Sequence, residues 1–295
     1  MVLKKRVSPK RTPDLSYVDL HIHSIYSDSS STPHDILKAA QEKPLAAISL
    51  TDHDSAGGIS SLVELAEGSG IEIIPGVELS VTDGKADIHI LGYFIDYRDE
   101  WFVSQLAIFK LARLERAKKI LLKLKELKIE LDIESVLEIA EMGAVGRPHI
   151  AEALLRSGHV GTFEEAFHRY IGHNSPAYVP KLVLEPKEAF DLIKKVDGVS
   201  VLAHPGTMMR DDLIPEFVEQ GLDGLEVWHP KHDRDTAKYY KEIAKRYDLV
   251  VTGGSDSHGL LAGGSEIGSG KVPFEIVEKL RERKRSPKSD STRTV

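Results

Sequence analysis

Histidines and acidic residues recur at similar places along this chain, inside or just after short apolar runs. A single histidine is usually a surface residue or a core residue with a satisfied hydrogen bond, so the grouping carries the information. His21 and His23 are two positions apart, and in a strand such residues share one face. Asp256 and His258 would also share a face if their segment is extended. The complete set is His21, His23, His53, His89, His204 and His258, with Asp28, Glu78 and Asp256.

Divalent metal ions are the partners that this set of side chains predicts. So many polar groups cannot be buried side by side without partners. Imidazole and carboxylate ligands without sulfur suit Mn²⁺, Fe²⁺ or Zn²⁺, and the chain has no cysteine. That absence also excludes disulfides, thiolate zinc sites and cysteine nucleophiles, and it fits a cytoplasmic protein. Two or three divalent ions would carry more charge than the three carboxylates, so the centre should attract an anionic substrate.

These residues need elements whose ends converge, and the apolar runs supply them. Seven runs rich in Val, Ile and Leu have few alternating polar positions, which is typical of parallel strands covered on both faces. We expect these strands at 17–23, 45–50, 71–77, 87–92, 199–203, 224–227 and 249–252. Helical patterns lie between most of them, at 33–42, 57–67, 186–196, 212–220, 234–246 and 273–284. This alternation predicts an α/β barrel with a mainly parallel sheet, whose strand ends meet at one rim.

The segment 101–178 has a different periodicity and is predicted to be a helical insertion. Its apolar residues recur at the helical period, which indicates one long helix and then shorter ones near 132–141, 148–156 and 162–170. The barrel would then comprise 17–100 and 179–280. Although the net charge is −7, both ends of the chain are basic. We expect a basic arm at 1–16 and a disordered basic tail at 281–295, either solvated or attracted to nucleic-acid phosphates.

Six segments resemble, in order, those of the PHP (polymerase and histidinol phosphatase) family of metallophosphoesterases. They are DLHIHSIYSD, SLTDHD, IPGVELS, DIHILGY, LAHPG and GGSDSHG. The resemblance extends from about residue 17 to residue 272. It implies a distorted seven-stranded (β/α)7 barrel, which agrees with the number of predicted strands.

The resemblance also implies three metal sites. The first would be held by His21, His23, Glu78 and Asp256. The second would be held by Glu78, acting as a bridge, with His89 and His204. The third would be held by Asp28, His53 and His258, which are also the expected catalytic residues. A histidine of this third site can protonate the leaving oxygen only where it is not bound to metal. Mn²⁺ is the expected ion, with Fe²⁺ or Zn²⁺ as alternatives.

Three polar residues near these positions are given structural roles. Asp52 and Asp54 flank His53 and are expected to be hydrogen-bond partners of the ligands rather than ligands themselves. His229 follows a predicted strand, but its neighbour Trp228 favours a structural role.

The insertion supplies candidate substrate-binding residues. Arg147 and His149 begin a predicted helix, and a helix N-terminus favours anions. An arginine fork also suits a phosphate. Arg113 and Arg116 lie on the long helix, where they either bind substrate or form a solvated face. The segments GRPHIA and AYVP resemble the TrpH subgroup of the family. That subgroup includes nucleoside 3′,5′-bisphosphate phosphatases and the exoribonuclease RNase AM.

The expected function is metal-dependent hydrolysis of nucleotide phosphate monoesters by attack of a metal-activated hydroxide. The expected reaction is removal of the 3′-phosphate of a nucleoside 3′,5′-bisphosphate, with 5′→3′ exoribonuclease action on short RNA as a further activity. One alternative is a histidinol-phosphate phosphatase, although its small substrate would not need the insertion. The other is a non-catalytic, metal-stabilised PHP module, although such modules usually lack some of the ligands. No stretch approaches the roughly 18 apolar residues of a membrane span, so no membrane partner is expected.

Overall fold

The computed structural model describes residues 17–140, 143–180, 184–259 and 265–285. The predicted N-terminal arm and residues 286–295 of the predicted basic tail lie outside these residues. Residues 281–285 are helical, so the expected disorder is wrong for the start of the tail. Within them, no helix is both long enough and apolar enough to cross a membrane.

The strands form one sheet that curls into a nearly closed barrel. Their spatial order is β7-β6-β5-β4-β3-β2-β1-β8. The gap is bridged where the backbone N–H of Asp256 donates to the carbonyl of His21 at 2.8 Å and that of His23 donates to Ser257 at 3.0 Å. The α/β barrel is therefore confirmed. The strands are β1 (Tyr17–Ile22), β2 (Leu45–Leu50), β3 (Glu72–Thr82), β4 (Asp87–Tyr93), β5 (Val199–Leu202), β6 (Gly224–Trp228), β7 (Val250–Gly253) and β8 (Val272–Pro273).

The sheet is mixed, and the expectation of a mainly parallel sheet is wrong at β4. This strand is antiparallel to both β3 and β5. Only residues 83–86 separate β3 from β4, and so short a link makes a hairpin, because a parallel crossover needs a dozen or more residues. The reversal decides where His89 lies. As the third residue of β4, it sits at the rim where the parallel strands end.

The inner faces of the strands are apolar at one end of the barrel and polar at the other. On β3, Ile74 belongs to the interior cluster, while Glu78 lies four residues further along the same face. On the reversed β4, His89 comes first and Leu91 lies deeper. The apolar end is closed by α11 through Ile276, Val277 and Leu280. Polar side chains thus gather at the open end.

Helices surround the barrel close to the predicted positions. Thr32 caps α1, because its side chain accepts from the backbone N–H of Asp35 at 3.2 Å, and Pro33 follows as the first helical residue. The helices of the barrel are α1 (Pro33–Gln41), α2 (Ile59–Leu65), α7 (Pro186–Lys195), α8 (Pro205–Met208), α9 (Ile214–Gln220), α10 (Arg234–Arg246) and α11 (Glu275–Arg285).

The segment between β4 and β5 has its own apolar core. The long helix α3 joins both parts: Phe102 and Phe109 pack with the barrel core, whereas Ile120 and Leu124 belong to the separate cluster. Its second half therefore carries the insertion, and the exact limits 101–178 stay a prediction. The helices are α3 (Glu100–Glu126), α4 (Ile133–Ala140), α5 (Arg147–Arg156) and α6 (Phe163–Ala166), which continues into a π-helical turn, Phe167–Ile171.

Candidate metal centre

All nine predicted ligands meet at the open end of the barrel. His21 lies near the end of β1 and His23 just after it, while Glu78 of β3 and His89 of β4 are diagonal neighbours across these two strands. The other five lie in the loops that follow β1, β2, β5 and β7: Asp28, His53, His204, Asp256 and His258. Residues more than 230 positions apart thus share one cluster, as the convergence of strand ends predicts.

Glu78 is the buried centre of the cluster. Five imidazole nitrogens surround its two oxygens, although a carboxylate offers only about four lone-pair positions. Hydrogen bonds alone therefore cannot account for the arrangement. The contacts to Oε2 are His21 Nε2 at 3.2 Å, His23 Nε2 at 3.2 Å and His53 Nδ1 at 3.1 Å, and those to Oε1 are His89 Nδ1 at 2.9 Å and His204 Nε2 at 3.1 Å.

Asp256 and Asp28 complete the two flanks. Asp256 Oδ1 lies 3.2 Å from His23 Nε2 and 3.4 Å from His21 Nε2. Asp28 Oδ1 lies 3.3 Å from His258 Nε2. Asp256 has a positive φ of 49°, so its segment is not extended as the shared-face expectation required. Instead, the bend directs Asp256 and His258 into neighbouring groups of donors.

Three overlapping groups of donor atoms have the spacing of metal ligands. Donors that bind an ion at 2.0–2.2 Å lie about 3.0–3.5 Å from their neighbours, which matches the contacts around Glu78 and Asp256. One group equals the predicted first site. Each of the other two groups contains a residue that was not predicted there. His53 joins Glu78 and His89 in one group, and His23 joins the predicted third site in the other. His204 Nε2 lies 3.3 Å from His89 Nδ1, consistent with their predicted common site.

Unsatisfied buried atoms show that the residues fit a cation. His23 Nε2, His53 Nδ1 and Asp28 Oδ1 are buried and have no partner in hydrogen-bond geometry among the described residues. Leaving such an atom unpaired costs about 1–3 kcal/mol, and more for a charged group. All three atoms belong to residues of the donor groups. A divalent ion in each group would satisfy them.

The electrostatics of the cluster also require positive charge. Burial alone would lower the pKa of His23, but the carboxylates of Asp256 and Glu78 outweigh it and raise this pKa to about 10. Burial would likewise raise the pKa of Glu78 and of Asp28, but the imidazoles around them hold both values well below the usual range. At His53 burial prevails and lowers the pKa to about 3. The carboxylates therefore stay ionised and demand cations.

Several buried polar residues hold the ligand-bearing segments in place. Asp52 and Asp54, the expected hydrogen-bond partners of the ligands, contact neighbouring residues and not the donor atoms themselves. Asp52 accepts hydrogen bonds from Ser24 and Ser27 in the loop after β1, and Asp54 accepts from the backbone N–H of Ser80. Asp54 thus fixes the backbone of β3, and Asp52 reaches a ligand side chain only through Ser27, whose Oγ lies 3.5 Å from His23 Nδ1.

Glu226 is a buried acid that the sequence reasoning missed. Its Oε1 lies 2.9 Å from His21 Nδ1, and its Oε2 accepts from the backbone N–H of His204 at 2.8 Å. Burial would raise its pKa, but His21 outweighs this and lowers it. The available signal was an acid inside the otherwise apolar run GLEVW. His229, interpreted as structural, places Nε2 3.2 Å from Asp256 Oδ2.

The four candidate substrate-binding residues lie on the insertion side of the cluster. Arg113 is only partly exposed and pairs with Asp54, and Arg116 is buried and donates to the carbonyl of Val179 at 2.8 Å. The interpretation of these two arginines as a solvated face is therefore wrong. Arg147 begins α5 as predicted.

These residues form a basic cluster close to the metal donors. Burial, followed by the charges of Arg147 and Arg113, lowers the pKa of Arg116 to about 10. Burial lowers the pKa of His149, and the carboxylate of Asp28 opposes this shift. His149 Nδ1 accepts from the backbone N–H of Gly146 at 2.9 Å, so its Nε2 carries the hydrogen when the ring is neutral. Asp54 compensates the charge of Arg113, and His149 with its lowered pKa is neutral near pH 7, so Arg116 and Arg147 supply the positive charge that favours an anion here.

Comparison with known proteins agrees with this geometry. Residues 19–199 match the family described as PHP domain. A 3′,5′-nucleoside bisphosphate phosphatase of Chromobacterium violaceum is 30% identical over 86% of this chain and 91% of its own length. The 5′-3′ exoribonuclease Rnm of Escherichia coli is 30% identical over 81% of this chain and 84% of its own. A solved structure from Bifidobacterium adolescentis, described as a candidate metal-dependent phosphoesterase, has a TM-score of 0.83 and 30% identity, covering 90% of this chain and 96% of that one.

Proposed function

The chain belongs to the PHP domain family, and from this premise we propose that it is a metal-dependent hydrolase of nucleotide phosphate esters. The observation that carries the proposal is the Glu78 cluster, in which five imidazole nitrogens surround one buried carboxylate. A basic cluster lies beside it. Together they suit a substrate with one phosphate at the metal donors and another anionic group nearby.

Two or three divalent ions would be held by the nine predicted ligands. When bound, such ions activate water near neutral pH and stabilise charge on the phosphoryl oxygens. Mn²⁺ is the ion we propose, with Fe²⁺ or Zn²⁺ as alternatives, because the ligands are imidazoles and carboxylates without thiolate. A cytoplasmic location remains part of the proposal.

Asp28, His53 and His258 are the proposed catalytic residues. Their side chains are 14%, 12% and 20% exposed, whereas those of His21 and His23 are fully buried. Together with His89, His204 and Asp256, whose side chains are 19%, 15% and 17% exposed, they form the part of the cluster that an incoming phosphate meets.

His258 directs Nδ1 to the carbonyl of Asp256 at 3.0 Å, so its Nε2 faces Asp28. Burial would lower the pKa of His258, but the carboxylates of Asp28 and Asp256 outweigh it and raise this pKa, so the ring can also carry a proton on Nε2. Where no ion holds that nitrogen, the protonated ring can pass this proton to the leaving oxygen and become neutral.

The proposed substrate is a nucleoside 3′,5′-bisphosphate, with short 5′-phosphorylated RNA as a second substrate. Both carry a phosphate on the 5′-oxygen and a reacting phosphoryl group on the 3′-oxygen. Arg147, with Arg113, Arg116 and His149, would hold the 5′-phosphate while the metal donors receive the 3′-group. One arrangement can therefore serve both reactions. The related phosphatase and exoribonuclease support this combination.

The two alternatives are less compatible with the site. Histidinol phosphate carries an ammonium group in place of a second phosphate, and the basic cluster would repel it. A non-catalytic module does not need all of the donors, yet all nine positions contain ligand-type residues.

A phosphate-release assay tests the proposal. The purified protein, supplemented with Mn²⁺, is given a nucleoside 3′,5′-bisphosphate, AMP, histidinol phosphate and a 5′-phosphorylated RNA, and the RNA products are also separated by size. We expect the bisphosphate to be the best small substrate. Preference for histidinol phosphate would support the first alternative, and no turnover of any substrate would support the second.

A further inference from the structure

Two residues, Glu226 within β6 and His229 just after it, contact the proposed metal ligands. Glu226 contacts His21 and His229 contacts Asp256, both in the group His21–His23–Glu78–Asp256. We propose that Glu226 and His229 are positioning residues, which fix the protonation and orientation of His21 and Asp256 so that both are ready to bind an ion. The inference rests on the proposed metal centre and adds residues that neither the sequence reasoning nor the family resemblance assigns.

Glu226 determines which nitrogen of His21 faces the cluster. Its carboxylate is fully buried and, when ionised, only accepts hydrogen bonds. The contact at 2.9 Å therefore places the hydrogen of His21 on Nδ1. The lone pair on Nε2 then faces Glu78 Oε2 at 3.2 Å and Asp256 Oδ1 at 3.4 Å. Two carboxylate oxygens facing this nitrogen require either a proton on the ring or a metal ion between them, and an ion would take the place of that proton.

The second oxygen of Glu226 holds another ligand by its backbone. It accepts from the N–H of His204 at 2.8 Å. His204 has a φ of 29°, a conformation that residues other than glycine rarely adopt and that surrounding contacts must maintain. One carboxylate thus orients two ligands that are 183 positions apart in the chain.

His229 contacts one oxygen of Asp256 and leaves the other facing the metal donors. The backbone N–H of Lys231 donates to His229 Nδ1 at 3.2 Å, so the hydrogen of the neutral ring is on Nε2. That hydrogen points to Asp256 Oδ2 at 3.2 Å. Oδ1 is left for the cluster, where it lies 3.2 Å from His23 Nε2. Asp256 is also at positive φ, 49°, and the contact with His229 helps to hold this bend.

Glu226→Gln tests the first half of the proposal. Glutamine keeps the size of the side chain, but it has one acceptor oxygen where two donors must be satisfied. Partners of metal-binding histidines typically contribute about 10–100-fold to metal affinity. We therefore expect the Mn²⁺ affinity of Glu226→Gln, measured by competition with a fluorescent chelator, to fall by about that factor. Glu219→Gln, which removes the same charge from an exposed position on α9, should leave the affinity unchanged.

The melting temperature of the metal-free protein separates positioning from a purely structural role. Positioning predicts that Glu226→Gln loses much of the stabilisation that Mn²⁺ gives to the wild type. If it melts lower without metal but binds Mn²⁺ as tightly as the wild type, Glu226 is structural and the inference is wrong. If the wild type itself binds no Mn²⁺, the proposed metal centre is refuted. That result differs from a loss of the Glu226 proposal alone, in which the wild type binds Mn²⁺ and the variant binds it equally well.

His229 provides an independent test if the Glu226 variant does not fold. His229→Ala removes the donor to Asp256 and should also weaken Mn²⁺ binding. His229→Gln can place its side-chain amide N–H near the position of Nε2 and should restore part of the affinity. Equal Mn²⁺ affinity in the wild type and His229→Ala would refute the role of His229.

Discussion

Replacing Arg147 by alanine should reduce the preference of the enzyme for a substrate with two phosphates. Arg147 begins α5, and its guanidinium lies 5.7 Å from the ring centre of Phe167 and 5.8 Å from that of Tyr178. The two aromatic rings thus hold the cation at a helix N-terminus, which itself favours anions, on the insertion side of the metal donors. If it binds the phosphate that is not cleaved, only substrates with that phosphate lose the contact.

The expected loss follows from the energy of a charged hydrogen bond. Such a bond contributes about 1.5–3 kcal/mol, and about 1.4 kcal/mol corresponds to a factor of ten. Arg147→Ala should therefore lower kcat/KM for a nucleoside 3′,5′-bisphosphate by roughly ten- to a hundred-fold. For a nucleoside 3′-monophosphate the loss should be much smaller, because that substrate never reaches Arg147 with a phosphate.

Initial rates of phosphate release on both substrates provide the measurement. Arg156→Ala is the matched control, because Arg156 lies at the other end of the same helix and pairs with Glu152 at 2.7 Å. Equal losses on the two substrates would mean that Arg147 acts on the reacting phosphate or on the fold. If neither substrate is affected, our account of selectivity is wrong.

Three further predictions concern the metal donors. Glu78→Gln should abolish turnover while circular dichroism shows an intact fold, because Glu78 touches donors of two groups; near wild-type activity would contradict its central position. In the metal-free protein the pKa of His23 is about 10, so near pH 7 this ring must lose a proton to bind an ion. Metal binding should therefore release protons, and the affinity should rise by up to about tenfold for each unit by which the pH is raised below that pKa. Calorimetry in two buffers of different ionisation enthalpy measures the release, and finding none would refute this prediction. Removing the metal with a chelator should lower the melting temperature by about 5 °C or more, whereas an unchanged temperature would mean that the ions do not stabilise the fold.

The positions of the strands and of the ligands could be predicted from the sequence because both depend on local patterns. The run that forms β1 is short, apolar and followed by a turn, and His21 and His23 alternate within and after it. The direction of β4 was not predicted, because an apolar run looks the same in a parallel and in an antiparallel pair. The short link at 83–86 was the signal for a hairpin.

The contacts behind the ligands were not predictable from spacing. Glu226 meets His21 across 205 positions of the chain, and only the closure of the barrel brings β6 close to β1. The bend at Asp256 also escaped prediction, since a positive φ is uncommon in residues other than glycine, although aspartate adopts it more often than most. Where long-range packing decides which side chains meet, the sequence indicates the type of residue but not its partner.

Metal content is the most direct test of the central claim that the nine donors form a metal centre. The protein is saturated with Mn²⁺, passed through a desalting column and examined by elemental analysis, with Glu78→Gln measured in parallel. The overlapping groups of donors predict at least two metal equivalents per chain in the wild type and fewer in the variant. Less than one equivalent in the wild type would contradict the account.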